Sequence, residues 1–131
     1  MRQRDRRWGA VLWVALLGLV LSVATAVASP SNKWRIKINH NARSDGAIVL
    51  TVTPKDEAAT TVTVQVPKGT GEDRIAHLVR DALRAQLGEH YHVEVDDGED
   101  VLVKKHLGEP NIDVALAQNT VKGVTVKFHR E

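Results

Sequence analysis

Ile48-Val49-Leu50-Thr51-Val52-Thr53-Pro54, answered after a short polar link by Thr61-Val62-Thr63-Val64-Gln65-Val66-Pro67, decides the fold class of this chain. Both stretches alternate at period two, the signature of half-buried strands with one wet face, and a proline closes each. Ile48, Leu50, Val52, Val62, Val64 and Val66 then share one face. Thr51, Thr53, Thr61 and Thr63 share the other. The link Lys55 to Thr60 is polar and short enough for a hairpin.

The same period recurs on both sides. Upstream, Trp34, Ile36 and Ile38 alternate with Arg35, Lys37 and Asn39, and Arg43-Ser44-Asp45-Gly46 supplies a turn, so three consecutive antiparallel strands are expected. Downstream, Tyr91, Val93 and Val95 alternate with His90, His92 and Glu94. Asp96-Asp97-Gly98 turns the chain into Val101 to Lys105. Ile112, Val114 and Leu116 follow the turn Gly108 to Asn111, and Val124, Val126 and Phe128 follow Lys122-Gly123.

Between the third and fourth strands the period changes. Ile75, Leu78, Val79, Ala82, Leu83 and Leu87 recur at three and four, the stripe of an amphipathic helix. Thr70 and Asp73 have the spacing of a capping box, Glu72 and Asp73 favour the positive end of the helix dipole, and Gly88 is placed to close the helix. The expected fold is α+β: an antiparallel β-sheet of about seven short strands in the order βββαββββ, with one helix packed on one face.

Ahead of this domain, Met1 to Arg7 carries four arginines, and an almost unbroken apolar run extends from Trp8 to Ala28. Arginines before an apolar segment that ends Ala26-Val27-Ala28 describe an export signal cleaved before Ser29. The same run is long enough for an uncleaved membrane anchor. Either way residues 29–131 form one domain outside the cytoplasm, periplasmic or secreted, and only residues 8–28 would touch a membrane.

Four of the 18 basic and one of the 16 acidic residues precede Ser29, leaving 14 basic against 15 acidic. A near-neutral domain without a cluster of Lys and Arg argues against nucleic acid as a partner. The chain has no cysteine, which excludes disulfides, thiolate catalysis and cysteine-ligated zinc.

No catalytic motif is present. The serines at 22, 29, 31 and 44 lie in neither a Gly-x-Ser-x-Gly elbow nor a Ser-x-x-Lys motif. Lys68-Gly69-Thr70-Gly71 lacks the order of a phosphate-binding loop, and the acidic group around Gly98 lacks the ligand pattern of a calcium loop. His90 and His92, two apart on an expected strand and followed by Glu94, have the residue types and spacing to hold Zn or Cu. The plainer reading is a row of solvent-facing polar positions. Thr51, Thr53, Thr61 and Thr63 offer a flat docking face, and a free strand edge offers strand addition.

These features describe a small exported non-catalytic protein of the cell envelope with a binding or structural role, in contact with a protein or another envelope component. A metal-binding protein using His90, His92 and Glu94 is the alternative. An inhibitor that presents the loop Asp96 to Asp100 to an exported enzyme is a further one.

Overall fold

The computed structural model describes residues 30–131; the leader of residues 1–28 lies outside them. Seven strands and one helix follow in the expected order: β1 (Lys33–Asn39), β2 (Gly46–Pro54), β3 (Thr60–Val66), α1 (Glu72–Leu87), β4 (Tyr91–Asp96), β5 (Asp100–Lys105), β6 (Ile112–Asn119) and β7 (Thr125–Arg130). All pairings are antiparallel, and the strands divide between two sheets. The small sheet has the order β3-β2-β6 and the large one β4-β5-β1-β7.

The alternating residues face inward as their period requires. Ile36, Ile38, Ile48, Leu50 and Val52 are fully buried, with Val62, Val64 and Val66 nearly so. Helix α1 adds Ile75, Val79 and Leu83 and packs against β3 on one side and β4, β5 and β1 on the other. It thereby closes the gap between the two sheets where the chain crosses from β3 to β4. At the opposite margin the indole N–H of Trp34 on β1 donates to the Ile112 carbonyl on β6, a buried bond of 2.7 Å that joins the large sheet to the small one.

The first three strands do not form one meander. β2 and β3 pair as a hairpin, with Leu50 opposite Val62, but β1 leaves for the large sheet and lies between β5 and β7. Alternation states which side of a strand is apolar and is silent on which strand lies beside it, so a neighbour in sequence was the wrong partner here. β6 contains an irregularity as well: Gln118 opposes Val49 while Leu116 opposes Leu50, leaving Ala117 as the extra residue of a bulge.

The helix start also differs from the capping box. Gly71 is the N-cap residue and supplies no side chain, while the Thr70 hydroxyl donates to the Pro67 carbonyl at 2.6 Å, inside the turn that brings the chain off β3. The cap comes from elsewhere. Asn41, in the loop after β1, accepts the Glu72 N–H at 3.2 Å, and the Glu72 carboxylate accepts the His40 N–H at 2.7 Å. This reciprocal pair ties the loop to the helix dipole's positive end. Asn41→Ala is expected to cost about 1 kcal/mol and Asn41→Asp far less, measured by urea unfolding. At the other end Gly88, at φ 62°, donates its N–H to the Arg84 carbonyl and ends the helix as its sequence position suggests. A 3-10 turn, Gly88–His90, then leads into β4.

Candidate functional site

The outer face of the small sheet carries the four threonines together. Thr51 on β2 stands directly opposite Thr61 on β3, Thr63 lies opposite Val49, and Thr53 faces Asp113 on β6. On the far side of Thr51 is Ala115. Their inward neighbours are buried and they are not. The strands of this sheet read GAIVLTVTP, TTVTVQV and IDVALAQN, so Asp113, at the margin, is their only charged residue. Short uncharged side chains on a sheet give a surface that costs less to desolvate than one bearing ions, once a partner satisfies the threonine hydroxyls.

The outer face of the large sheet is the opposite in character. β1 presents Lys33, Arg35 and Lys37, β4 presents His92, Glu94 and Asp96, and β5 presents Asp100 and Lys104. Arg35 is the centre of this face. One guanidinium nitrogen reaches Asp100 at 2.8 Å, Asp96 at 3.1 Å and Asp97 at 3.7 Å, and Nε donates to Glu131 at 2.6 Å. The hydrogen bonds that Arg35 donates to Glu131 and Asp100 raise its pKa, and Arg35 in turn holds the Glu131 carboxyl below its ordinary value. Asp100 is the one buried charged residue among the described residues. On sequence Arg35 looked like an ordinary solvent-side strand residue, because its partners lie more than sixty positions away.

The loop between β4 and β5 turns tightly, with Asp97 at φ 51° and Gly98 at φ 79°. Its Asp97, with Asp96 and Asp100 at the strand ends that flank it, is drawn onto Arg35, which leaves the loop folded against the sheet.

His90 and His92 are held apart in their interactions. The 3-10 turn after Gly88 takes His90 out of the strand, where its Nδ1 lies 2.8 Å from the Glu109 carboxylate. His92 remains on β4, with Nε2 2.9 Å from Glu94. Among the described residues no group of three or more His, Asp or Glu side chains stands in metal-ligating geometry. His90 instead borders an open cleft of about 240 Å³ with Tyr91, Glu109, Glu57, Thr60 and Gln86. The hydrogen bond to Glu109 raises the His90 pKa above its ordinary value, and burial raises that of the Tyr91 phenol.

A raised imidazole pKa means the folded protein binds a proton more tightly than the unfolded chain. The pair's contribution to stability is present below the unfolded pKa and lost as pH rises through the folded one. Imidazole proton shifts followed by NMR are expected to give His90 an apparent pKa above 6.5. Glu109→Gln should return it toward that value; an unchanged titration would show that Glu109 is not its partner.

No protein-family model matches the chain, and no curated protein matches it.

Proposed function

We propose that this chain is an exported, non-catalytic binding module of the cell envelope that docks a protein on the outer face of β2 and β3. One observation carries this reading: in a chain with 26% charged residues, the three strands of the small sheet hold a single carboxylate, while the large sheet's outer face is crowded with ions. Depletion of charge marks the centre of a protein interface more reliably than bulk hydrophobicity does. Threonine hydroxyls add hydrogen-bonding capacity without long, flexible side chains to immobilise.

The docking reading has more support than a metal site, since His90 and His92 each engage a different carboxylate. It has more than the inhibitor reading too, because the Asp96 to Asp100 loop is bound to Arg35.

The paired variant Thr51→Lys/Thr61→Lys places two cations at the centre of the face without touching the core. Purified from its native envelope with a C-terminal tag, the unaltered chain should bring down a stoichiometric protein, and the paired variant should lose it while keeping its far-ultraviolet dichroism. Retention of that protein by the folded variant would overturn the proposal.

A further inference from the structure

The cleft that His90 borders lies where four elements end or begin. β2 finishes at Pro54, β3 starts at Thr60, α1 finishes at Leu87 and β4 starts at Tyr91. Val52, Pro54 and Leu87 give the cleft an apolar wall, while Thr60, Gln86 and Tyr91 bring uncharged polar groups to it. Its charged lining is Glu57, Glu109 and His90. No lysine or arginine belongs to it.

Tyr91 is the residue that points to a ligand. It is only 8% exposed and packs in the common core. A buried tyrosine ordinarily pairs its hydroxyl, yet this one makes no hydrogen bond among the described residues. No wholly buried polar side-chain atom there lacks a partner, so the hydroxyl is the part of Tyr91 that opens into the cleft. Burial first, then Glu109 and Glu57, raise its pKa, which keeps the phenol neutral beside both carboxylates.

The cleft is electrostatically negative. The C-terminal end of α1 reaches it through Gln86 and Leu87, and that end of a helix carries partial negative charge. Arg84, the basic side chain of the last turn, is turned away and donates to the Val93 carbonyl at 2.9 Å. The other cations nearby have partners: His90 lies on the Glu109 carboxylate, and Lys105 donates to the Glu109 main-chain carbonyl at 3.0 Å. Glu57 is exposed and in no ion pair among the described residues. Its neighbours in the turn are Asp56 and, one further back, Lys55.

We infer that this cleft binds a small alkylammonium ion, with the ammonium between the Glu57 carboxylate and the Tyr91 hydroxyl and the alkyl chain on Val52, Pro54 and Leu87. A volume of about 240 Å³ suits an amine of a few carbons. A primary ammonium brings three N–H donors to a site supplied with acceptors: a carboxylate, a phenol oxygen and the Gln86 amide oxygen. Thr60 faces this cleft from the inner side of β3, so the site is separate from the threonine face and independent of what docks there.

Tyr91 is the chain's only tyrosine, so its ring protons report the cleft without ambiguity. The full chain in an uncharged maltoside detergent would be titrated with n-butylammonium chloride at constant pH and ionic strength and followed by NMR. Saturable shifts of the Tyr91 ring and the His90 imidazole are expected. Responses to n-butanol, which lacks the charge, and to ammonium chloride, which lacks the chain, should be far weaker. Glu57→Gln is expected to weaken binding about three-fold. Tyr91→Phe, which keeps the ring in the core, should weaken it about ten-fold, read at His90. No saturable shift with n-butylammonium would overturn the inference. A response to n-butanol or ammonium equal to that of n-butylammonium would overturn it too, as would unchanged affinity in both folded variants, which would place the amine elsewhere on the surface.

Discussion

Trp34→Ala is expected to destabilise the domain by about 4 kcal/mol, lowering its melting temperature by roughly 20 °C. Trp34 is 7% exposed and packs in the common core, so its loss leaves a cavity the size of an indole where the two sheets meet. Trp34→Phe separates packing from hydrogen bonding. It retains most of the apolar volume and removes only the indole N–H. The Ile112 carbonyl still accepts the Ser31 N–H at 2.7 Å, so no buried acceptor is stranded and a cost of about 1 kcal/mol is expected. Thermal unfolding of both variants checks the pair. Equal losses would show that the bond to Ile112, rather than packing, joins the sheets.

Arg35→Met should cost about 3 kcal/mol. The guanidinium is partly buried, with 18% of its side chain exposed against 8% for Asp100. Without it Asp100 becomes a buried carboxylate with Asp96 and Asp97 beside it, and Lys37, opposite it on β1 but in no ion pair with it, is the cation left nearby. The damage lies in the stranded acid more than in the lost pair. Adding Asp100→Asn to Arg35→Met is therefore expected to recover stability, with at least about 1 kcal/mol of non-additivity.

Acid provides a second readout of the same cluster. The Glu131 carboxyl is held below its ordinary value, so the folded chain binds fewer protons than the unfolded one. Its contribution to stability is present above the unfolded pKa and lost as pH falls through the folded one. Arg35→Met should flatten that acid-side slope, read by urea unfolding across the carboxylate range. A slope equal to that of the unaltered chain would place the acid sensitivity elsewhere.

Local period made the strands, their inner faces and the helix legible. Trp34, Ile36 and Ile38, or Val62, Val64 and Val66, needed only their own neighbours to declare a face. Which strands lie together was not legible, because the pairing of β1 with β5 and β7 is settled by long-range packing rather than by any pattern within β1. The same limit hid Arg35, whose four carboxylates come from the β4–β5 hairpin and the end of the chain. It also hid Asn41, which caps a helix 31 residues on. His90 was misplaced onto the strand for a local reason: Gly88 ends the helix but a further 3-10 turn intervenes before β4 begins.

The shared face of the threonines was legible from parity alone. That this face is almost free of charge was not, since it depends on β6 joining β2 and on every strand rich in ions collecting in the other sheet.

Docking on that face is tested most directly by a photo-crosslinking residue incorporated at Thr61, and separately at Lys127 on the outer side of β7, in cells that make the full chain. The account predicts one adduct of defined mass from position 61 and none from position 127; an adduct of twice the chain's own mass would identify a second copy as the protein bound. No adduct from position 61, or the same adducts from both positions, would contradict it.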